Sequence, residues 1–219
     1  MQLAQLRSSF QTYGLGATAF DVTCRAANKF GTVRFLKGMT VRMEDVGDRS
    51  LFESPGFDGR FVGAQELERY ADGSQEFTPA FLRDAFARGD RCYALFDGDI
   101  LASHGWYSNE PTEVDDGLVL HFDPRYTYMY KGFTAPAYRG KRLHAVGMCR
   151  ALQAVTEEGK AGLISWVYSN NFASLRSTKR MGYRIFGTAC AIGLGDVVLT
   201  YESPSCRAYG FRLEKPASR

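Results

Sequence analysis

Apolar positions recur with two different periods along this chain, and the change of period divides it into strands and helices. From Thr32 to Val46, two short β-branched runs lie on either side of Lys37-Gly38, which predicts a hairpin. Thr78-Pro79 begins a predicted helix, because threonine is a favoured N-cap and proline a favoured first helical residue. Residues 92–96 and 100–106 flank an Asp-Gly-Asp turn and predict a second hairpin. A meander of antiparallel strands is therefore expected in the first half.

The middle of the chain has a strand, helix, strand order. The aromatic stretch from Tyr126 predicts a strand that ends at Pro136, and apolar residues at helical spacing then run from about Gly140 to Gly159. Residues 163–168 predict the next strand, and such a crossover makes the two strands parallel. We therefore predict an α+β (mixed α/β) fold with a twisted mixed sheet of about seven strands, mostly antiparallel with a central parallel pair, flanked by helices.

The two ends of the chain have weaker patterns. Residues 173–180 predict a short helix, and residues 183–201 predict a last hairpin. Gly14–Ala19 matches a dinucleotide-binding pattern, but no apolar strand precedes it, so we assign it to a loop. We predict that residues 1–31 are an N-terminal extension and that residues 32–219 form the domain.

Composition excludes several functional classes. The chain has 219 residues, of which 45% are hydrophobic and 23% charged, enough to bury a sizeable core. No apolar run reaches the length of a membrane helix, and the start of the chain lacks the order of a signal peptide. The formal net charge of +3 is spread along the chain. We therefore expect a soluble, cytoplasmic protein with neither nucleic acid nor membrane as a partner.

Cysteine and histidine patterns indicate neither a disulfide framework nor a metal site. The five cysteines are scattered without a Cys-x-x-Cys pair, which favours buried thiols in a reducing compartment. The three histidines, His104, His121 and His144, lack metal-ligand spacing, so we predict no metal.

A basic turn after the Tyr126 strand is the clearest candidate for chemistry. It reads Thr134-Ala-Pro-Ala-Tyr-Arg-Gly-Lys-Arg-Leu143 and precedes a helix without a carboxylate in its first turn. The first backbone N–H groups of a helix have no internal partner, and the helix dipole favours an anion there. The turn therefore predicts an anion site, although the same cations are also typical of a solvated helix start.

With this turn and a second motif, the sequence resembles the GCN5-related N-acetyltransferase (GNAT) superfamily. Thr134–Leu143 is similar to the strand end, Pro-x-Tyr-Arg-Gly segment and pyrophosphate loop of that family. Asn171-x-x-Ser174 is followed by Gly182-Tyr183, eleven and twelve residues after the asparagine, as after the fifth strand of the family. Either motif alone is weak, but their order and separation are fairly specific. The resemblance covers roughly Thr78 to Tyr201.

The resemblance implies acetyl-CoA as co-substrate and a set of residues that bind it. In the family, the strand before the turn splays from its neighbour, and pantetheine pairs with the free strand edge. The implied donor-binding residues are Phe133, Thr134, Ala135, Arg139, Gly140, Lys141, Arg142, Leu143, His144, Asn171 and Ser174. Asn171 is also a typical helix N-cap, and the two roles are compatible.

Two positions depart from the family pattern. Arg142 and His144 stand where small residues are expected, so they must point away from a phosphate or contact the phosphates or ribose themselves. Thr178 stands where the family often has a tyrosine that protonates the leaving thiolate, and a threonine hydroxyl is far too weak an acid for this role.

Several side chains are candidates for acid and base catalysis. Tyr168 ends the predicted fifth strand, Tyr128 lies in an aromatic stripe of the fourth, and His104 has a suitable intrinsic pKa for a base. Each is more commonly structural when taken alone. A water relay to the acidic loop is an alternative, through Glu113, Asp115 and Asp116.

We predict an N-acyltransferase that moves an acetyl group from acetyl-CoA to a primary amine of a small molecule. The amine attacks directly in a ternary complex, because no cysteine lies in a nucleophile motif. A cationic or sugar-like acceptor would suit a tyrosine-rich, acidic cleft. One alternative is a long-chain enzyme that uses acyl-ACP or acyl-CoA to make N-acyl amino acids. Another is a non-catalytic acyl-CoA sensor. Residues 1–31 are candidates for capping the acceptor cleft or for mediating a homodimer.

Overall fold

The computed structural model describes residues 3–53, 56–71, 77–114, 117–195 and 197–216. Its α-helices are α1 (Leu3–Ala27), α2 (Ala64–Ala71), α3 (Pro79–Ala87), α4 (Leu143–Glu157) and α5 (Phe172–Arg180). Its strands are β1 (Thr32–Val41), β2 (Asp58–Val62), β3 (Arg91–Asp97), β4 (Ile100–Ser108), β5 (Thr112–Glu113), β6 (Val119–His121), β7 (Tyr126–Thr134), β8 (Gly162–Tyr168), β9 (Arg184–Leu194), β10 (Val197–Glu202) and β11 (Arg212–Glu214).

Eight strands form one main sheet in the order β10-β9-β1-β8-β7-β4-β3-β2. Within the described residues of this sheet, β7 and β8 are the parallel pair and the other neighbours are antiparallel. Helix α4 is the crossover that makes them parallel. A smaller sheet has the order β11-β6-β5. The predicted α+β class is confirmed, with eight strands in the main sheet where the sequence indicated about seven.

Helix α4 covers one face of the main sheet, which we call the α4 face. Among the side chains that it buries are Val146, Met148, Cys149, Leu152 and Val155. They share one apolar cluster with Leu95 of β3, Met129 of β7 and Leu163 of β8. Gly159, with φ 92°, follows the helix end as the sequence predicts.

Helix α3 lies on the opposite face, over β3 and β4. Its start is as predicted, because Pro79 is the first helical residue and the Thr78 hydroxyl accepts the N–H of Phe81 at 3.2 Å. The fully buried Trp106 of β4 packs edge-on against Phe81 and Phe86, with ring centroids 4.9 and 5.4 Å away. This aromatic cluster holds α3 on the sheet.

The predicted hairpin between Thr32 and Val46 is wrong, because Thr32–Val41 is the single strand β1 between β8 and β9. Lys37-Gly38 does not turn the chain. A Cβ atom on Gly38 would lie 2.7 Å from the ring of Phe186 and 3.2 Å from that of Phe211. The glycine makes room for two rings from distant parts of the sequence, a packing need that resembles a turn signal in sequence.

The predicted loop that begins at Gly14 is also wrong, because this segment lies within α1. Gly14 itself has φ 83° and ψ 175°, a conformation that divides α1 into two helical parts and that glycine adopts readily. Beyond this kink, Phe20 packs against Phe35 of β1 with ring centroids 6.0 Å apart. Asp21 accepts a 2.7 Å hydrogen bond from the side-chain amide of Asn170. These contacts attach α1 to β1 and to the turn that follows β8.

Candidate active site

Strands β7 and β8 pair over only three positions and then diverge. The pairing runs from Tyr126 opposite Gly162 to Tyr128 opposite Ile164. At the point of divergence, the Ser165 hydroxyl donates to the Met129 carbonyl at 2.8 Å. Beyond it, residues 130–134 of β7 pair with no strand on the β8 side within the described chain. We call the space between residues 130–134 and 165–168 the wedge. Its β7 side is an open strand edge.

A β-bulge lies at the narrow end of the wedge. In the β4–β7 ladder, Trp106 pairs with Tyr130 and His104 with Phe133, so two residues of β7 face Gly105 alone. The two residues are Lys131, with φ 47°, and Gly132. A bulge bends a strand and re-aims its peptide groups, which is why bulges recur beside active sites.

The peptide groups of β7 alternate in direction beyond the bulge. The Ala135 N–H donates to the Ala102 carbonyl at 2.9 Å, and Phe133 pairs with His104. The peptide between them, that of Thr134, therefore faces the wedge. Of the three residues predicted to contact pantetheine through their backbones, Thr134 offers its N–H. The Thr134 carbonyl accepts from Arg139, and the Ala135 N–H is engaged within the sheet.

The basic turn, residues 139–142, connects β7 to α4 at the mouth of the wedge. Val146 is the first residue whose N–H donates within the helix, to the Arg142 carbonyl at 3.1 Å. The amides of Leu143, His144 and Ala145 therefore have no intrahelical acceptor. Gly140, with φ 85°, has no atom within 4 Å of the place that a Cβ would occupy. The turn thus combines free backbone N–H donors with space for a ligand to reach them, which are the two requirements of an anion site.

The cationic side chains of the turn point in different directions. Arg142 binds Asp48 at 2.7 Å, and its backbone has φ 62°. Hydrogen bonds from Ser50 and then from Arg142 lower the pKa of Asp48 to about 2. Lys141 lies over the Tyr138 ring at 5.0 Å, and Arg139 donates to the Thr134 carbonyl at 3.4 Å.

His144 packs against the bulge. A Cβ atom on Gly132 would lie 2.8 Å from Nδ1 of His144 and 3.2 Å from Cε of Met129, and closer still to Cε1 of the imidazole. Burial lowers the pKa of His144, so the ring is neutral at pH 7. This histidine joins the first turn of α4 to β7 and offers no cation to a phosphate.

The second motif caps α5. The Asn171 side chain accepts the N–H of Ser174 at 3.1 Å, so the N-cap role is observed directly. The Thr178 hydroxyl donates to the Leu175 carbonyl at 3.1 Å within the same helix. Thr178 therefore serves the helix and not the wedge.

A cleft of about 430 Å³ lies beside the bulge on the face opposite α4. Tyr128 and Tyr130 stack with ring centroids 5.5 Å apart and rings 11° from parallel. Trp166 of β8 donates to the Tyr128 hydroxyl at 2.7 Å, and Phe81 of α3 completes an aromatic lining. Four charged side chains also line the cleft: Asp84, Arg88, Glu113 and Lys131. Asp115 and Asp116, the other residues of the predicted acidic loop, lie outside the described residues.

A buried carboxylate fixes one wall of this cleft. Asp90 is 2% exposed, accepts a hydrogen bond from the Tyr130 hydroxyl and pairs with Arg88 at 2.6 Å. Burial and this carboxylate raise the pKa of Tyr130 far above its usual value. Tyr130 is therefore a hydrogen-bond donor here and not a phenolate base.

The three predicted catalytic residues do not converge on one point. Tyr128 lies in the cleft at the narrow end of the wedge and is 3% exposed. Tyr168 instead lines a separate cavity of about 930 Å³ beside α1, together with Asp21 and Asn171. His104 lies behind the bulge.

The cleft residues Phe81, Asp90 and Trp166 were not predicted, since no local motif marks them.

His104 is a buried, neutral imidazole. It is 4% exposed, and its ring centroid lies 5.1 Å from that of Phe77 and 5.8 Å from that of Phe133. Its Nδ1 atom has no hydrogen-bond partner among the described residues. Burial, with smaller effects of Lys131 and His144, lowers its pKa to about 4. It can accept a proton but is a weak base.

We expect His104 to make the fold sensitive to acid. Its pKa is about 4 in the folded state against 6.5 when unperturbed, so the unfolded chain binds the proton more tightly. This stability is fully present above about pH 6.5 and is lost as the pH falls to about 4, a change of roughly 3 kcal/mol. Urea unfolding across this range measures it. His104→Gln should flatten this part of the profile, and a profile like that of the wild type would contradict the expectation.

Among the described residues, no group of three or more His, Cys, Asp or Glu side chains could hold a metal ion. No helix in the described part of the chain is both long and apolar enough to cross a membrane. All five cysteines are described and each is a free thiol. Burial raises the pKa of Cys149 in α4 to about 12, which makes its thiol a poor nucleophile.

Comparison with solved structures identifies the fold. No family model matches the sequence, and no curated protein matches it either. A protein from Novosphingobium aromaticivorans described as an acetyltransferase of the GNAT family is 17% identical with a TM-score of 0.51, over 75% of this chain and 66% of its own. A GCN5-related N-acetyltransferase from Kribbella flavida is 17% identical with a TM-score of 0.50, over 83% and 64%. An acetyltransferase of the GNAT family from Colwellia psychrerythraea is 12% identical with a TM-score of 0.50, over 84% and 61%.

The mixed sheet with its splayed parallel pair is thus the fold of the GCN5-related N-acetyltransferases. The resemblance seen in two sequence motifs is confirmed at the level of the fold. At 12–17% identity these structures support the fold and not a particular activity. The chain also spans slightly less than two thirds of the length of each of these proteins.

Proposed function

We propose that this protein is an N-acyltransferase that moves an acetyl group from acetyl-CoA to a primary amine of a small molecule. The observation that carries the proposal is that the wedge, the bulge at Lys131-Gly132 and the start of α4 meet at one end of the β7–β8 pair. An open strand edge suits an extended amide-containing arm, and a helix start suits phosphates. Coenzyme A thioesters combine both chemical features.

We assign the diphosphate of the donor to the turn and to the first amides of α4. Gly140 leaves the backbone open, and the amides of Leu143 and His144 are the donors. Arg139 and Lys141 supply positive charge. The side chains of Arg142 and His144 are not assigned to the phosphates, because the first binds Asp48 and the second packs on Gly132.

The pantetheine arm is assigned to the wedge. Thr134 offers its backbone N–H on one side, while Asn171 and Ser174 begin α5 on the other side. A backbone N–H at the bulge would polarise the thioester carbonyl and stabilise the oxyanion as the amine attacks. Phe133 and Ala135 act in this arrangement by keeping β7 paired with β4.

The acceptor amine is assigned to the cleft of Tyr128 and Tyr130. Its nitrogen forms a bond to the acyl carbon, the carbon–sulfur bond breaks, and a proton passes from nitrogen to leave an amide and a thiol. The rings of Tyr128, Tyr130 and Trp166 favour a cationic amine in the manner of a cation–π contact. Asp84 and Glu113 balance the charges of Arg88 and Lys131, which also line the cleft. Tyr128 is our first candidate for the group through which this proton leaves the amine. The catalytic roles predicted for Tyr168 and His104 stay predictions.

Ligand-dependent melting tests the donor site. A ligand at a hundred times its dissociation constant should stabilise the protein by about 2.7 kcal/mol. We expect acetyl-CoA and free CoA to raise the melting temperature, and Arg139→Ala with Lys141→Ala to reduce the effect. Arg207→Ala, which removes an exposed cation outside the turn, is the matched control. The absence of a shift with any CoA species would overturn the proposal.

Two other functions use the same fold. A long-chain acyltransferase that uses acyl-ACP or acyl-CoA is favoured by the basic turn, because its cations would also suit an acidic carrier protein. It would be stabilised by long-chain acyl-CoA more than by acetyl-CoA. A non-catalytic sensor would also bind CoA. In that case Tyr128→Phe and His104→Gln would not change the rate at which the protein cleaves a thioester.

The division into an extension of residues 1–31 and a domain of residues 32–219 stays part of this proposal.

A further inference from the structure

The β8 wall of the wedge ends in a short turn, residues 169–171, which we call the β8–α5 turn. Two backbone hydrogen bonds hold it. The Ser169 N–H donates to the Phe35 carbonyl of β1 at 2.7 Å, and the Asn171 N–H donates to the Tyr168 carbonyl at 2.9 Å. Asn171 then caps α5 with its side chain. The position of this turn therefore determines where α5 begins relative to the wedge.

The middle residue of the β8–α5 turn is bound to helix α1. The side-chain amide of Asn170 donates to Oδ1 of Asp21 at 2.7 Å, across 149 positions of the sequence. Asp21 is 6% exposed, and both of its carboxylate oxygens also accept from Nε of Arg25 at 2.9 Å. Because Arg25 lies one turn further along α1, this pairing fixes the direction of the carboxylate. A buried charge held in one orientation thus meets the turn.

The surroundings of this hydrogen bond are not tightly packed. A cavity of about 930 Å³ is lined by residues of α1, by residues 33–35 of β1, by the β8–α5 turn and by the start of α5. Elements that are separated by a cavity can shift with little loss of contact. A directed hydrogen bond to a charged group then constrains the position of the turn more than loose apolar contacts do.

Helix α1 approaches the wedge from the side of β1. Strand β1 pairs with β8 on the side away from β7, and α1 is attached to β1 by the packing of Phe20 on Phe35. The bond between Asp21 and Asn170 continues this attachment to the end of β8. The helix therefore supports the β8 wall of the wedge from behind.

We propose that Asp21 is a positioning residue of the donor site. Through Asn170 it holds Asn171 and Ser174 at the separation from Thr134 that the pantetheine arm needs. This inference rests on the proposed function, which assigns that arm to the wedge. Since Oδ1 of Asn171 accepts from Ser174, Nδ2 is the group that this side chain offers to an amide of the arm. Asp21 itself contacts no part of the donor in this assignment.

This role differs from the two predicted for residues 1–31, which were to cap the acceptor cleft or to mediate a homodimer. It makes the second part of α1, beyond the kink at Gly14, a support of the donor half of the site. The acceptor cleft lies between β7, β8 and α3 and has no lining residue from α1 among those described. Loss of Asp21 should therefore affect the donor.

Titration calorimetry of the full chain with two ligands tests the proposal. One ligand is CoA, and the other is adenosine diphosphate, which has a diphosphate but no pantetheine. Asp21→Ala should raise the Kd of CoA roughly fivefold, because part of the lost hydrogen bond to a charged group is transmitted to the ligand. The Kd of adenosine diphosphate should change by less than about twofold, because the diphosphate is assigned to residues 139–142 and the start of α4, which Asp21 does not contact.

Asn170→Ala breaks the same hydrogen bond from the other side, and it tests the proposal even if Asp21→Ala folds poorly. It should weaken CoA binding to a similar extent. The double variant should lose no more than either single variant, as two residues that act through one contact require. Asp21→Asn retains an oxygen that can accept from Asn170 and should restore most of the affinity.

Asp123→Ala is the matched control. It removes a carboxylate that is paired with an arginine and whose side chain is 13% exposed, close to the 9% of Asp21. Asp123 precedes β7 at the end remote from the wedge, so this variant should bind CoA normally. Circular dichroism and melting establish which variants are folded.

Three results would overturn the proposal: CoA affinity equal to that of wild type in a folded Asp21→Ala protein, equal losses of affinity for CoA and adenosine diphosphate, or losses that add in the double variant. A wild type that binds no CoA is a different result. It overturns the proposed function itself, and with it the site that Asp21 is proposed to position.

Discussion

Replacing Gly132 with alanine should weaken the binding of CoA at least tenfold, a loss of about 1.4 kcal/mol. A Cβ atom there would lie 2.8 Å from Nδ1 of His144, well inside normal contact, so the His144 ring, the bulge or the start of α4 must shift. Both belong to the proposed donor site. The same overpacking should lower the free energy of unfolding by about 1–3 kcal/mol. Isothermal titration with CoA and urea unfolding measure the two effects.

Two further variants separate this effect from a general loss of fold. His144→Ala combined with Gly132→Ala should recover much of the affinity, because it removes the ring that the new methyl group meets. Gly147→Ala lies one turn along the same helix, where a Cβ would be in ordinary contact, 3.7 Å from Leu95 and 3.8 Å from Tyr93. It should bind CoA normally. Unchanged affinity in a folded Gly132→Ala protein would show that bulge and helix start do not bound a CoA site.

Truncating Trp106 to alanine should lower the free energy of unfolding by about 3–5 kcal/mol. This indole is fully buried and meets three phenylalanine rings, those of Phe77, Phe81 and Phe86, at 6.5, 4.9 and 5.4 Å between centroids. Its loss would leave a cavity under α3. Because α3 carries Phe81, Asp84 and Arg88 to the cleft, binding of an amine acceptor should suffer more than binding of CoA.

Trp106→Phe is the informative control. The indole N–H of Trp106 has no hydrogen-bond partner among the described residues, so phenylalanine removes no hydrogen bond. A smaller ring at this site leaves a smaller cavity than alanine does, so the loss of stability should be distinctly smaller. Denaturant unfolding of both variants gives the comparison. Equal losses in the two would contradict the assignment of this stability to the packing of the ring.

Local features of the site were predictable, because residues close together in the sequence determine them. The turn from Thr134 to Leu143 combines a strand end, a proline and a glycine, and the Asn171 motif caps the helix that it precedes. Such signals depend on backbone conformation within a few residues. The parallel pair followed from the crossover, which requires no knowledge of side-chain contacts.

Features that depend on distant contacts were not predictable. Gly38 resembles a turn residue until the ring of Phe186 is placed against it. Asp90 follows a helix-ending glycine and resembles a loop residue, yet it is 2% exposed and bound to Tyr130. Trp166 reaches Tyr128 only because β7 and β8 run side by side. Pairing of strands far apart in sequence decides each of these, and no local pattern encodes it.

The place of β1 in the sheet determines when this protein can finish folding. The ribosome makes β1 before the other strands, but its neighbours β8 and β9 are made late, and Leu36 ends up between Tyr168 and Ala189. Contacts between such distant segments form slowly, because the chain entropy is lost before they stabilise the fold. Until β1 inserts, β8 presents a bare apolar edge to other nascent chains. Completion of the sheet is therefore a step that follows synthesis, and it is the step at which assistance by a chaperone would matter most.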